Sequence, residues 1–246
     1  MNWLPDIGVK PYFADEDTAI FHNDCRDILP LLSPKSVDLV LADPPYGIGY
    51  SATKQGYRGA KEFDAIKGDA SLEMVSWILQ QSHRFPLVII WGANNFPQLL
   101  PFPGVWICWD KRVVDEADAT FGWPFELAWI SRQRGKGHLY RIQHGGAVNA
   151  DGVGQSRFHP TQKPVSLFKR IMLDFAGGLV LDPFMGSGTS LIAAQSLGRK
   201  SIGIEVEERY CEVAVKRLQQ KPLVFPKTER VVTQRKFWNE KSPTKR

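Results

Sequence analysis

Residues 179–190 read LVLDPFMGSGTS, and this stretch decides the fold. The apolar residues 179–181 predict a short buried strand, which ends at Asp182 and the proline after it. Two glycines then form a tight turn, and a helix is predicted over residues 189–197. A strand, a glycine turn and a helix in this order are typical of a parallel sheet, where ligands bind at the carboxyl ends of the strands.

Further strands and helices alternate on both sides of this stretch. Largely apolar runs are typical of strands buried on both faces of a sheet, and they occur at residues 20–22, 37–42, 87–91, 105–109, 127–131 and 201–204. Amphipathic helices are predicted at residues 71–81, 164–175 and 207–219. We therefore predict one α/β domain over residues 1–220, built on a doubly wound, mostly parallel, Rossmann-like sheet.

The composition excludes several classes of protein. The three cysteines stand apart and the five histidines are scattered, so the sequence predicts neither a disulfide framework nor a metal site. No apolar run approaches the roughly 20 residues of a membrane span, and residues 1–13 lack the pattern of a signal peptide. These features predict a cytoplasmic protein.

The net charge of +5 is concentrated at one end of the chain. Residues 221–246 contain eight Lys or Arg and two Glu. This basic C-terminal tail is interpreted either as a solvated end or as an arm that contacts phosphates.

The glycine turn has the features of a nucleoside site. Gly186 and Gly188 allow the backbone to approach a ligand closely, and Glu205, at the end of the next predicted strand, is placed to accept hydrogen bonds from ribose hydroxyls. A dinucleotide site would need a third glycine where Leu191 stands. A tight turn without a ligand is the alternative interpretation.

A second motif, Asp-Pro-Pro-Tyr at residues 43–46, also follows a predicted buried strand. An exocyclic base amine is a poor nucleophile because its lone pair is delocalised into the ring. The Asp43 carboxylate and the Pro44 carbonyl could accept both amine hydrogens and free that lone pair, while Tyr46 offers a flat stacking face. The competing interpretation is a turn that merely ends the strand.

Two segments suggest contact with a polyanion. No acidic residue lies between Glu126 and Asp151, and this glycine-rich, loop-like stretch contains Arg132, Arg134, Lys136 and Arg141. A polar loop at residues 51–68 directly follows Tyr46, and we expect it to close over a flipped base through Lys54, Arg58 and Lys61. Both segments could instead be solvated surface loops.

Taken together, the motifs resemble the amino-methyltransferases that act on DNA. The order, with the catalytic motif first and the cofactor loop last, is a circular permutation that is similar to the β-class of that family. The segment HPTQKP at residues 159–164 is also similar to the β-class, and residues 106–112 and 125–131 resemble phage and prophage members. The resemblance covers roughly residues 20–218.

This resemblance implies a seven-stranded sheet, S-adenosylmethionine as the methyl donor, and double-stranded DNA as the partner. It places target recognition in a short insertion at residues 111–158, and β-class relatives suggest a homodimer as an assembly to test. The catalytic roles fall on Asp43, Pro44, Pro45 and Tyr46. The cofactor-binding roles fall on Asp24, Cys25, Thr161, Lys163, Asp182, Phe184, Gly186, Ser187, Gly188, Thr189 and Glu205.

The first motif residue bears on the substrate. Asp43 favours N6 of adenine, since Ser is usual there in enzymes acting on N4 of cytosine. Cytosine N4 is the second candidate substrate. An RNA or protein-glutamine methyltransferase, and an inactive DNA-binding homologue, are two further interpretations of the same motifs.

Overall fold

The computed structural model describes residues 3–47, 70–112, 123–145, 148–149, 162–175 and 177–220. The strands in these ranges are β1 (Phe13–Ala14), β2 (Thr18–His22), β3 (Leu39–Ala42), β4 (Val88–Trp91), β5 (Val105–Asp110), β6 (Phe125–Ile130), β7 (His138–Arg141), β8 (His144–Gly145), β9 (Val148–Asn149), β10 (Val180–Asp182) and β11 (Ser201–Glu205). The helices are α1 (Cys25–Ile28), α2 (Glu73–Gln81), α3 (Val165–Phe175), α4 (Thr189–Ser196) and α5 (Glu208–Gln219).

Within the described ranges, the main sheet has nine strands in the order β1-β2-β11-β10-β3-β4-β6-β5-β7. Its centre, from β2 to β5, has the predicted seven strands, which are parallel except for β6. The short β1 pairs antiparallel with β2 at one edge, and β7 adds a strand at the other. The prediction of a mostly parallel α/β sheet is confirmed.

The direction of chain travel changes between β3 and β10. These strands are neighbours, with Val180 opposite Leu39. The next strand after β3 is β4 on one side, whereas the next after β10 is β11 on the other. The carboxyl ends of β3 and β10 therefore flank a topological switch point, where such sheets form a ligand crevice.

The antiparallel β6 brings a second segment to this crevice. Because β6 runs opposite to β4 and β5, its amino end lies at the same edge as the carboxyl ends of the parallel strands. We call this the catalytic edge. The residues after β6 lie at the opposite edge, where Ser131 exchanges hydrogen bonds with the backbone of Val88.

Side chains alternate between two hydrophobic clusters, one on each face of the sheet. One face carries α1 and α2 and buries Val40, Ile90 and Trp129. The other carries α3 and α4 and buries Leu41, Ile89 and Trp91. Burying each such side chain contributes about 1.5–3 kcal/mol, and this packing fixes the loops at the catalytic edge.

The structure corrects one sequence-based expectation and leaves others untested. The segment after Arg132 was expected to be a loop, but it contains β7, because Tyr140 is buried and donates a hydrogen bond to Asp174 (2.7 Å). The loop at residues 51–68 and the tail at residues 221–246 lie outside the described residues. No helix among those described is long and apolar enough to cross a membrane.

Candidate active site

The Asp-Pro-Pro-Tyr motif begins one residue beyond β3. The Asp43 side chain is one-fifth exposed and its Oδ2 accepts a short hydrogen bond from Nζ of Lys163. Its Oδ1 is buried and has no hydrogen-bond partner among the described residues. Burial raises the pKa of Asp43 above its usual value, and the ammonium of Lys163 opposes that rise. One carboxylate oxygen is thus fixed while the other is left as a buried acceptor.

This carboxylate is the first of four charged side chains of alternating sign. Lys163, 5% exposed, lies 3.5 Å from Oε2 of Glu126, and Lys111 donates to Oε1 of the same glutamate. Although burial disfavours its charge, Asp43 and Glu126 together raise the pKa of Lys163 above its usual value. The four charges sum to zero, so each buried charge has an opposite neighbour.

Two tryptophans support the lysines of this chain of charges. Nζ of Lys163 lies 5.2 Å from the ring centroid of Trp91, and Nζ of Lys111 lies 4.9 Å from that of Trp109. Both tryptophans are fully buried. Cation–π contacts of this kind hold an ammonium in a fixed position.

Tyr46 lies against Gly92, the residue that follows β4. Gly92 has a φ of +69°, and a Cβ at this position would lie 2.6 Å from the Tyr46 ring. Glycine is required here both for the left-handed backbone and for the space that the ring occupies. The end of β4 thereby fixes the position of the Tyr46 ring.

The glycine turn is joined to the end of β11. The backbone N–H of Gly186 donates to Oε2 of Glu205 (3.0 Å), and that of Met185 donates to the carbonyl of Ile204 (3.1 Å). Burial raises the pKa of Glu205, while the backbone N–H groups of Glu207 and Gly186 oppose this. The carboxylate therefore lies at the start of the turn, directly above the strand ends.

The Asp182 side chain joins the two ends of the glycine turn. Its side chain accepts hydrogen bonds from the backbone N–H of Phe184 (3.0 Å) and from the Ser190 hydroxyl. Burial raises its pKa to about 7, although both hydrogen bonds oppose the rise. This carboxyl is thus poised to change charge near neutral pH.

Arg217 of α5 donates hydrogen bonds to the glycine turn. Its guanidinium donates to the carbonyl of Ser187 (2.6 Å), to the hydroxyl of Ser187 (3.0 Å) and to the hydroxyl of Thr189 (3.2 Å). The Ser187 hydroxyl also lies 3.4 Å from Oε1 of Gln162. These bonds tie the last helix, the glycine turn and the segment before α3 together.

Residues 23–25, at the end of β2, adjoin the carboxylate at the end of β11. The backbone N–H of Asn23 donates to the carbonyl of Glu205 (3.1 Å). Asp24 caps α1, accepting from the Arg26 backbone (2.9 Å) and pairing with its guanidinium (2.7 Å). Cys25 is buried with its thiol toward Met74, and burial raises its pKa to about 12.

A pocket among the described residues joins the two motifs. It has a cavity volume of about 50 Å³ and is lined by Asp43 of the Asp-Pro-Pro-Tyr motif, by the segment before α3, and by the glycine turn. The lining residues are Asp43, Gln162, Lys163, Phe168, Asp182, Phe184, Met185, Gly186, Ser187, Thr189 and Ser190. Two strands that the sequence separates by more than half the chain therefore present their loops to one cavity.

The basic residues expected to bind DNA are divided between the two edges. Arg132, Arg134 and Lys136 are exposed but lie between the end of β6 and the start of β7, at the edge opposite the pocket. Arg141 lies at the catalytic edge, where it pairs with Asp110 (3.0 Å). The antiparallel course of β6 causes this separation. Lys54, Arg58, Lys61 and Thr161 lie outside the described residues.

Several residues near the pocket were not predicted from the sequence, namely Gly92, Lys111, Glu126 and Arg217. One signal could have pointed to Glu126, since it is a charged residue inside the apolar strand FELAWI. A charge in such a strand requires a partner. No comparable sequence signal points to the other three residues.

Comparison with known proteins identifies the family. A family model described as DNA methylase (N6_N4_Mtase) matches residues 91–216, just over half of the chain. The chain belongs to this DNA methylase family. The methylase match includes the glycine turn, and the Asp-Pro-Pro-Tyr motif lies before it.

Individual relatives align with most of the methylase chain. It is 27% identical over 257 residues to the Type II methyltransferase M2.LlaDCHI of Lactococcus lactis subsp. cremoris, covering 87% of this chain and 94% of that protein. It is 25% identical over 272 residues to the DNA adenine methyltransferase YhdJ of Escherichia coli (strain K12), covering 86% of each.

Among solved structures, the M1.HpyAVI–SAM complex has a similar fold. The TM-score is 0.53 at 20% sequence identity, and the alignment covers 82% of this chain and 99% of that one. At this identity the likeness shows the shared fold of the methylases.

Proposed function

We propose that this DNA methylase transfers a methyl group from S-adenosylmethionine to N6 of adenine in DNA. One observation carries the proposal: Asp43, whose buried Oδ1 has no partner among the described residues, lines the same pocket as the glycine turn. A base amine held by this carboxylate would face a methyl donor bound at the turn. Transfer requires the two reactants to meet in this way.

The residues around the turn fit S-adenosylmethionine. The Glu205 carboxylate has lone pairs beyond those that accept from the backbone N–H groups of Gly186 and Glu207. It can therefore also accept hydrogen bonds from ribose hydroxyls. Asp182 can face the ammonium of the methionine end, and the start of α4 offers backbone N–H groups to its carboxylate. The match of acceptors and donors to both ends of the molecule supports this cofactor.

The chemistry of the chain itself consists of positioning and electrostatics. S-adenosylmethionine supplies an electrophilic methyl group. Lys163 holds Oδ2 of Asp43, so that Oδ1 can accept a hydrogen bond from the amine and increase its nucleophilicity. Tyr46 offers a stacking face for the base, and the prolines limit the motion of the Pro44 carbonyl, the proposed second acceptor.

Adenine is preferred over cytosine for two reasons. The first residue of the motif is Asp43, as is usual for adenine N6, and a relative aligned over 86% of the chain is named a DNA adenine methyltransferase. Digestion of treated DNA to nucleosides distinguishes the two substrates. N6-methyl-2′-deoxyadenosine would support the proposal, whereas N4-methyl-2′-deoxycytidine would show that cytosine N4 is the substrate. Transfer to RNA and not to DNA would indicate an RNA methyltransferase. No transfer to any nucleic acid would indicate an inactive DNA-binding protein.

The catalytic role of Asp43 is tested by Asp43→Asn. The substitution keeps the shape of the side chain but removes the anionic acceptor, so we expect methyl transfer to fall about 10²–10³-fold. Tritiated methyl transfer to unmethylated DNA measures the loss, and calorimetry checks that cofactor affinity persists. Asp174→Asn, on α3, is the matched control. Wild-type rates in Asp43→Asn would remove the carboxylate from the mechanism.

DNA contacts outside the pocket are also proposed. Within the domain at residues 1–220, we assign target recognition to those parts of residues 111–158 that lie at the edge of the pocket. We assign closure over a flipped base to the loop at residues 51–68, with phosphate contacts through Lys54, Arg58 and Lys61. Alanine at all three should weaken binding of double-stranded DNA, and unchanged affinity would refute the assignment. We also propose a cytoplasmic location, where the protein would have access to DNA. A homodimer is the assembly to test, and light scattering would detect it.

A further inference from the structure

An exposed aromatic pair lies at the amino end of β6, on the catalytic edge. Trp123 is 76% exposed and Phe125 is 41% exposed, which is unusual for two large rings at neighbouring positions on a surface. Their ring centroids are 6.4 Å apart at an interplanar angle of 77°. The two rings therefore form one apolar surface that no described residue covers.

The strand register relates this pair to Tyr46. The backbone N–H of Gly92, against which Tyr46 packs, donates to the carbonyl of Leu127 (2.9 Å). Phe125 lies two residues before Leu127 and so shares its face of the sheet, about 7 Å further out. Glu126, between them, points to the opposite face and meets Lys163. The aromatic pair is thus on the Tyr46 side of the pocket.

Two arginines lie beside the pair. Phe125 is directly opposite Asp110 in the β5–β6 ladder, so their side chains share a face. Asp110 pairs with Arg112 (2.9 Å) and Arg141 (3.0 Å), whose side chains are 26% and 46% exposed. Two guanidinium groups therefore lie beside the rings, and both pair with the Asp110 carboxylate.

We propose that Trp123 and Phe125 form a stacking surface for unpaired bases of the DNA strand next to the base held in the catalytic pocket. The proposal rests on the proposed function, because it needs a strand opened at the pocket. The pair lies about 7 Å along β6 from Leu127, whose carbonyl accepts from Gly92 beside Tyr46. It is therefore on the side of the pocket where the neighbouring bases of an opened strand would pass.

The test is the DNA affinity of ring-deleting and ring-preserving variants. Trp123→Ala and Phe125→Ala should each raise the Kd for a single-stranded oligonucleotide about 5-fold or more, because base–aromatic stacking is worth roughly 1–3 kcal/mol. Trp123→Phe and Phe125→Tyr should stay near wild type. Leu173→Ala, which removes an exposed apolar side chain of α3, is the matched control.

Tryptophan fluorescence gives a direct reading of stacking. DNA should quench the emission of the wild-type protein more than that of Trp123→Phe, and cofactor affinity should be the same in all variants. Wild-type DNA affinity in both alanine variants overturns the proposal. So does an equal loss in the alanine and ring-preserving variants, or a change confined to the oligomeric state in light scattering.

The outcome is separable from that of the proposed function. If the wild-type protein methylates genomic DNA while the alanine variants bind DNA normally, only the stacking surface is wrong. If the wild-type protein neither binds nor methylates any DNA, both proposals fall.

Discussion

Lys163 joins two parts of the chain at the scale of single residues. It pairs with Asp43, 120 residues away, and with Glu126 on the other side. The family resemblance implied a contact with the methionine end of the cofactor for this lysine. The geometry adds a second contact, since its ammonium holds Oδ2 of Asp43, the carboxylate that we propose to accept the base amine.

Glu126 is expected to act on Asp43 through Lys163. Glu126→Gln should lower kcat about 10- to 100-fold with little change in the KM for DNA or cofactor, because a small displacement of a catalytic group has a large effect on rate. The charge of Glu126 also raises the pKa of Asp43. Its removal should therefore shift the acid limb of the kcat–pH profile to lower pH.

The kcat–pH profile distinguishes an effect of Glu126 on Asp43 from a purely structural role of Glu126. Glu73→Gln, a substitution at an exposed salt bridge with Arg26, is the control and should leave both kcat and the profile unchanged. An acid limb that stays in place in Glu126→Gln, with normal kcat, would contradict the expected coupling.

Asp182 should make stability depend on pH. Burial raises its native pKa to about 7, so between about pH 4 and pH 7 the folded state binds this proton more tightly than the unfolded state. The free energy of unfolding should accordingly fall as pH rises, by up to about 1.4 kcal/mol per pH unit. Asp182→Asn should flatten this slope in denaturant titrations at several pH values. Equal slopes in the two proteins would refute the assignment.

Much of the site could be predicted at the scale of residues because its members lie in short local motifs. Asp43 and the glycine turn each follow an apolar strand, and the ends of parallel strands meet at one edge. Glu126 and Arg217 could not be predicted in this way. Their contacts depend on which strands and helices become neighbours, and on a face that the sequence alone does not assign.

At the scale of elements, the loop after β4 is expected to be sensitive to a single methyl group. Gly92→Ala should reduce methyl transfer, because the added Cβ would lie 2.6 Å from the Tyr46 ring at a φ of +69°. Gly198→Ala is the matched control, since it has a φ of +63° with no atom within 4 Å. Both should lose roughly 1–2 kcal/mol of stability from backbone strain.

Activity assays and thermal unfolding together test this difference. Gly198→Ala should keep wild-type activity despite its lower Tm. Equal activity in the two variants would mean that Tyr46 does not depend on the space at Gly92.

The strands of the central sheet were predicted to within about two residues, whereas β7 was not predicted at all. Strands such as β3 and β4 are continuous apolar runs because both faces are covered. In β7 only Tyr140 is buried, and glycines and basic residues flank it. Its pairing comes from the neighbouring β5, which is a tertiary effect that overrides local composition.

For the whole molecule, cofactor binding should stabilise the fold as one unit, because the pocket joins β3, β10 and the segment before α3. S-adenosylmethionine at about 100 times its Kd should add about 2.7 kcal/mol to the free energy of unfolding. The corresponding rise in Tm is about 5–10 °C. Nicotinamide adenine dinucleotide should give no rise, since Leu191 replaces the third glycine. Thermal unfolding with each compound measures the difference, and an equal response would contradict the assignment.

The chain leaves the sheet after β5 and returns at β6 on the same edge. The backbone N–H of Lys111 donates to the carbonyl of Pro124 (2.9 Å), which closes the base of this excursion. Lengthening such a loop has a small entropic cost, since each doubling of the loop length costs only about 0.6 kcal/mol. A longer or shorter segment between Lys111 and Pro124 is therefore expected to leave β5 and β6 in register.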